Sequence, residues 1–198
     1  LLPASRQQEL AYVLPIMFTA AQQIQTQIPQ IQFLVPLARE TFRPTVETAL
    51  QDYGLNGRVV ANDQQSLAIA AADLALSKSG TANLEIALME VPQVVMYRLN
   101  RLTAWVAEFV LNFSTPYVSP VNLVNMEPIV PEFVQWKATP EAISQMALNL
   151  LNNPDRRQKM VEGYRAMKAH LGTPGACDRA ANEILDLALS RVTSSMQR

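Results

Sequence analysis

Along the first half of the chain, segments in which apolar residues recur at helical spacing alternate with short, continuous apolar runs. Helical spacing of apolar residues predicts helices over residues 7–27, 44–53 and 64–72, and a further helix that carries Ile86 and ends before Pro92. Short apolar runs predict strands at 31–35, 58–61, 74–76 and 94–97, and Leu1 and Leu2 resemble the end of another strand. Strands that alternate with helices over short connections predict an α/β fold: a parallel sheet with helices on both faces.

The pattern changes after residue 98. We predict an apolar helix over 100–113, a proline-interrupted segment over 115–131, and helices over 141–152, 155–171 and 176–189. Thr139, Pro140 and Glu141 form a typical helix start, with a cap, a proline in the first turn and an early acid. The chain therefore divides into an α/β domain at 1–135, helices packed on it at 136–190 and a frayed tail at 191–198.

Two interpretations remain open for the helix at 100–113, where Trp105, Phe109 and Phe113 recur at helical spacing. The first is a helix buried in the core. The second is that part of this face contacts a membrane, with the flanking Arg98 and Arg101 near anionic headgroups.

Composition narrows the function classes. Charged residues make up 17% of the 198 residues, and the net charge is −1, with Lys and Arg spread along the chain. This gives no support for nucleic-acid binding. The single cysteine, Cys177, excludes an internal disulfide and fits a reducing compartment, and no apolar run approaches the ~18 residues of a membrane span. One histidine and no glycine-rich phosphate motif leave little support for histidine metal sites, phosphate-loop NTPases or ordinary dinucleotide folds.

Ser79, Gly80 and Thr81 stand where a predicted strand ends and a helix begins. Ligands bind at such strand ends in open α/β sheets, and a helix N-terminus offers unpaired N–H groups that suit a phosphate. Glu85 follows Thr81 by one turn and can accept two hydrogen bonds from a ribose diol. The alternative, that Ser79 and Thr81 only cap the helix and Glu85 is solvated, stays open from spacing alone.

Arg6 lies on the loop after the first predicted strand, at the same carboxyl edge of the sheet. A guanidinium there can bind a diphosphate in bidentate fashion, although a surface arginine fits the same pattern. Together with the Ser-Gly-Thr turn, Arg6 indicates a nucleoside-diphosphate site assembled from two strand ends.

Four segments resemble the C-terminal half of the lipid-A-disaccharide synthase family: LLPASRQQEL, SGTANLEIALMEVPQVVMYR, PYVSPVNLV and PEFVQ. The resemblance runs from Leu1 to about residue 187. It implies a GT-B glycosyltransferase, in which two Rossmann-like domains face a cleft and the C-terminal one holds UDP. The family joins UDP-2,3-diacylglucosamine to 2,3-diacylglucosamine 1-phosphate with inversion, which releases UDP and a β-1,6 disaccharide. No metal ion or other cofactor is expected.

The resemblance also implies the binding residues. Arg6 would contact the donor phosphates, residues 79–81 would cradle them and Glu85 would hold the ribose, while Arg98 and Asn122 would make polar contacts in the cleft. The implied partners are the UDP-sugar donor and a lipid acceptor, in the cytoplasm and without nucleic acid. Contact with the inner-membrane surface and the oligomeric state are left open.

The chain departs from the family in several respects. Ala4 stands where glycine is usual, and Lys78 stands where a small residue is common. The resemblance covers only the family's C-terminal half and implies that the acceptor site and the general base belong to the N-terminal half. We therefore expect this chain to be a donor-binding fragment that makes no disaccharide alone. Glu9, Glu127 and Glu132 are the local carboxylates that could be offered as a base, and nothing in the sequence distinguishes them from solvated side chains.

Two alternatives to this family stay open. One is another UDP-sugar protein of this architecture, such as a peptidoglycan N-acetylglucosaminyltransferase or a UDP-N-acetylglucosamine 2-epimerase. The single histidine and the lack of a Gly-Gly-Ser-type first loop count against it. The second alternative, from a different class, is a nucleotide-binding or protein-interaction module without activity of its own.

Overall fold

Short parallel strands form the centre of the fold. A computed structural model describes residues 1–98, 115–173 and 175–196, so the predicted helix at 100–113 and its aromatic face lie outside the described residues. The strands are β1 Phe33–Pro36, β2 Gly57–Val60, β3 Ala75–Lys78, β4 Gln93–Tyr97 and β5 Glu132–Val134. Strand β1 pairs with β2, and β4 lies between β3 and β5, with every pairing parallel.

Leu1 and Leu2 lie between these two groups of strands. The Leu2 N–H donates to the Leu76 carbonyl at 2.8 Å, and the Lys78 N–H donates to the Leu2 carbonyl at 3.0 Å. On the other side, the Leu1 amine donates to the Leu34 carbonyl of β1 at 2.7 Å. Leu2 thus forms an isolated parallel bridge with β3, and the spatial order is β2, β1, Leu1–Leu2, β3, β4, β5.

The order of the chain reverses between Leu2 and β3. With the two leucines counted as the first strand, this is the 3-2-1-4-5-6 order of doubly wound, Rossmann-like sheets. In such sheets the crevice at the reversal opens at the carboxyl ends of the strands, and it is there that ligands bind. The loop after Leu2 and the turn after β3 therefore border this crevice.

The helices agree with the predicted order, with a few differences at their ends. They are α1 Gln7–Gln27, α2 Arg43–Asp52, α3 Gln65–Ala70, α4 Ala82–Leu88, α5 Pro120–Asn125, α6 Pro140–Asn152, α7 Pro154–Leu171 and α8 Ala176–Met196. Helix α1 has the predicted bounds. Helix α8 continues past residue 189 into the segment predicted as a frayed tail, and α5 and β5 lie in a region for which we predicted no regular structure.

Helices cover both faces of the sheet, as predicted. The apolar positions of α1 that include Val13, Met17 and Ile24 are buried, and α1 packs against α6, which also contacts β4. Helices α4, α5 and α7 form a second group, in which α7 buries Met160 and Tyr164. Burial of these apolar faces is the main stabilising contribution, at roughly 25 cal/mol per Å² of apolar surface.

The predicted start of α6 is also confirmed. The Thr139 hydroxyl accepts a hydrogen bond from the Ala142 N–H at 3.2 Å, and Pro140 is the first helical residue. Within the ranges that the structure describes, no helix is both long and apolar enough to cross a bilayer.

Candidate functional site

The crevice between Leu2 and β3 brings together two of the predicted site segments. Arg6 is the residue that precedes α1, and its guanidinium is 78% exposed, 3.7 Å from the Glu9 carboxylate. Residues 79–81 form the turn between β3 and α4. Because both segments follow neighbouring strands of a parallel sheet, they lie at the same edge.

A buried asparagine that the sequence analysis missed holds the 79–81 turn. The Asn83 side-chain carbonyl accepts a hydrogen bond from the Gly80 N–H at 2.8 Å. Its amide donates to the Ser77 hydroxyl at 2.8 Å and to the Gln93 side-chain oxygen at 3.1 Å. The Gln93 amide in turn donates to the Asn83 backbone carbonyl at 3.0 Å. A buried polar network that is satisfied in this way favours one conformation of the turn.

A sequence signal for this network did exist. Ser77, Asn83 and Gln93 are polar residues at positions where the strand and helix patterns require buried side chains, and each is fully buried. Buried polar groups are nearly always hydrogen-bonded, so three of them in neighbouring elements are expected to bond to one another.

The network also determines which donors the turn can offer to a ligand. The Gly80 N–H is used by Asn83, whereas the N–H groups of Thr81 and Ala82 have no hydrogen-bond acceptor in the described part of the chain. Thr81 is exposed, and a Cβ on Gly80 would meet no atom within 4 Å. The turn therefore leaves open space beside two free N–H groups.

The Ser79 side chain contacts a distant part of the chain. Its side chain is buried, and its hydroxyl donates to the Val118 carbonyl at 2.6 Å. This hydrogen bond connects the turn to the segment before α5.

Glu85 is half-buried and is anchored to α3. One carboxylate oxygen accepts a hydrogen bond from the Ser66 hydroxyl at 2.7 Å, and the other accepts one from the Gln65 amide at 2.9 Å. The Glu85 carboxylate is therefore hydrogen-bonded to the start of α3. A carboxylate offers about four acceptor positions, so two further hydrogen bonds can still be accepted.

Asn122 and Glu132 support the segment that contacts Ser79. The Asn122 amide donates to the Val130 carbonyl at 2.9 Å and to Glu132 at 2.8 Å, and its side-chain oxygen accepts from the Val130 N–H at 2.8 Å. Glu132 also accepts hydrogen bonds from the Val118 and Ser119 N–H groups, both at 2.8 Å. This carboxylate therefore holds the start of α5.

Asn122 does not border the crevice at the strand reversal. It lines a separate cavity, called the second cavity below. This cavity has a volume of about 1270 Å³, and its lining also includes Tyr97, Glu132 and Met160. The strand reversal between Leu2 and β3 does not line this cavity. Arg98, directly after β4, is half-buried and has no ion-pair partner in the described part of the chain.

Comparison with known proteins identifies the family. A sequence model of the lipid-A-disaccharide synthetase family matches residues 1–184. The chain belongs to this family. The comparison therefore supports this family rather than the peptidoglycan N-acetylglucosaminyltransferases or the UDP-N-acetylglucosamine 2-epimerases.

Several lipid-A-disaccharide synthases are among the similar proteins. That of Gloeothece citriformis is 57% identical over 187 residues, which cover 94% of this chain and 48% of the relative. Those of Synechocystis sp. and Prochlorococcus marinus are 45% and 47% identical, and the matches cover 95% and 94% of this chain and 48% and 49% of the relatives. The chain thus spans about half the length of the curated relatives it matches.

For this member of the lipid-A-disaccharide synthetase family, the Asn83 network gives a stability prediction. We expect Asn83→Ala to lower the free energy of unfolding by about 1–3 kcal/mol, because the Gly80 N–H and the Ser77 and Gln93 side chains would lose a buried partner. Urea unfolding measures the change. The control is Asn62→Ala, an exposed asparagine whose side chain has no hydrogen bond in the described part of the chain, which should change the free energy of unfolding by less than about 0.5 kcal/mol. Equal effects of the two substitutions would contradict a role for Asn83 in holding the turn.

Proposed function

We propose that this chain is the donor-binding part of a lipid A disaccharide synthase. In this reaction 2,3-diacylglucosamine is transferred from UDP to 2,3-diacylglucosamine 1-phosphate, which forms the β-1,6 disaccharide and releases UDP. The observation that carries the proposal is the crevice at the strand reversal, where the Arg6 loop and the 79–81 turn meet, in a chain of this family. The half-length match to the relatives supports a GT-B enzyme of which this chain is one domain.

The crevice suits a diphosphate because its donors come from both sides. On one side are the first turn of α1 and the exposed guanidinium of Arg6. On the other side are the N–H groups of Thr81 and Ala82 and the Thr81 hydroxyl. Positive helix ends and a guanidinium fork are favourable partners for phosphate oxygens. The same groups would stabilise the negative charge that UDP acquires as the glycosidic bond breaks.

Glu85 is the proposed ribose contact. Ser66 and Gln65 hold its carboxylate one helical turn beyond Thr81, so little side-chain freedom is left to lose on binding. The free acceptor positions of the two oxygens can receive the vicinal hydroxyls of a ribose.

The acceptor site and the general base are proposed to belong to the remaining part of the enzyme. The acceptor hydroxyl must give its proton to a base within hydrogen-bond reach. Glu132 has both oxygens engaged by N–H groups, and Glu9 is in an ion pair. Because the substrates are lipids, we also propose a cytoplasmic location with contact at the inner-membrane surface.

Calorimetric titration of the 198-residue chain tests the proposed function. We expect UDP to bind, UDP-2,3-diacylglucosamine to bind more tightly than UDP-N-acetylglucosamine, and a radiolabelled transfer assay with the lipid acceptor to show no disaccharide. Preference for UDP-N-acetylglucosamine would favour another UDP-sugar protein. Failure to bind UDP would contradict the donor site, and disaccharide formation would place the base and the acceptor site within these residues.

Glu85→Gln tests the ribose contact separately. Loss of hydrogen bonds to a charged acceptor should weaken UDP binding by about ten- to a hundredfold. The substitution should also reduce the preference for UDP over 2′-deoxy-UDP, because the contact involves the ribose hydroxyls. Glu47→Gln, at an exposed carboxylate on α2, is the control and should leave both quantities unchanged. An unchanged preference in Glu85→Gln would show that Glu85 only anchors α3 to α4.

A further inference from the structure

Lys78 occupies an unusual position at the crevice. It is the last residue of β3, and its backbone N–H donates to the Leu2 carbonyl, so it stands at the strand reversal itself. Its side chain is only 16% exposed. The ammonium lies 3.0 Å from a Glu9 carboxylate oxygen and 5.6 Å from the centre of the Tyr97 ring. The Lys78 ammonium is thus held at the strand reversal by two contacts, one with the Glu9 carboxylate and one with the Tyr97 ring.

The hydrogen bonds of this ion pair are incomplete. An ammonium group has three N–H donors, and Glu9 is the one hydrogen-bond acceptor that Lys78 has in the described part of the chain. The second oxygen of Glu9 is buried and without a hydrogen-bond partner within the described residues. The pair leaves donors of a half-buried cation unused, and ammonium groups with unused donors attract anionic ligands.

The pair also connects the two segments that border the crevice. Glu9 lies in the first turn of α1 and is 3.7 Å from the Arg6 guanidinium, while Lys78 directly precedes the 79–81 turn. One carboxylate thus keeps two cations close together at the edge where the diphosphate is proposed to bind. Cations placed in advance lose little entropy when an anion binds.

We propose that Lys78 is a second cationic contact to the diphosphate, beside Arg6, and that Glu9 is the positioning residue that holds its ammonium in the crevice. This inference rests on the proposed function, because it assigns further residues to the same donor site. It predicts that the ratio of the affinities for a nucleoside diphosphate and a nucleoside monophosphate is higher with both Lys78 and Arg6 than with Arg6 alone.

The experiment compares UDP and UMP binding by calorimetry in the 198-residue chain, with folding checked by thermal unfolding. Lys78→Met should lower the UDP-to-UMP affinity ratio by about tenfold, the usual effect of losing one charge-assisted contact. Lys168→Met, which removes an exposed lysine of α7, is the control and should leave the ratio unchanged. If Lys78→Met does not fold, Lys78→Gln, which keeps a polar side chain but removes the charge, takes its place.

Glu9→Gln tests the positioning role. It should lower the UDP-to-UMP ratio in the wild-type background and leave it unchanged in the Lys78→Met or Lys78→Gln background, since without the lysine there is nothing to position. An equal effect in both backgrounds would overturn the role of Glu9. An unchanged ratio in the folded Lys78 variant, with UDP still bound by wild type, would overturn the inference alone. Failure of wild type to bind UDP would overturn the proposed function as well.

Discussion

The hydrogen bonds of Leu2 to β3 are the constraint on which the rest of the site depends. They place the first two residues between β1 and β3 and so reverse the order of the strands at this point. The reversal opens a crevice because the connections on its two sides run in opposite directions. Arg6 and Glu9 approach the 79–81 turn because their loop begins directly after Leu2.

Buried polar contacts then determine the shape of the turn. Asn83 connects the turn to β3 and β4, and Ser79 connects it to Val118, which Glu132 holds in place. A polar group buried without a partner costs free energy, so each of these contacts favours the arrangement in which all are satisfied. The result is a turn that is fixed by its buried polar groups and keeps the N–H groups of Thr81 and Ala82 without an acceptor in the described part of the chain.

Much of the fold could be predicted because its signals are local. The bounds of α1, the cap at Thr139 and the alternation of strands with helices all follow from the spacing of neighbouring residues. Strand β5 could not be predicted in this way, because it has three residues and its pairing partner β4 lies far away in sequence. The extension of α8 was missed because helix ends fray and are the least defined part of such patterns.

The site shows the same limit. Arg6, Thr81 and Glu85 could be recognised from the sequence, because they are polar residues next to strand or helix ends. Sequence spacing did not show that the Ser79 hydroxyl binds Val118 or that Ser66 anchors Glu85, since both contacts join distant parts of the chain.

The central claim is that the diphosphate binds at the strand reversal, and amide chemical-shift mapping during a UDP titration of the ¹⁵N-labelled chain tests it most directly. The account predicts that the largest shifts occur at residues 6–9 and 78–82, on the two sides of the crevice, with a further change at Glu85. The largest shifts around Asn122, Glu132 and Met160 instead, with residues 6–9 and 78–82 unchanged, would place the nucleotide in the second cavity and contradict the account.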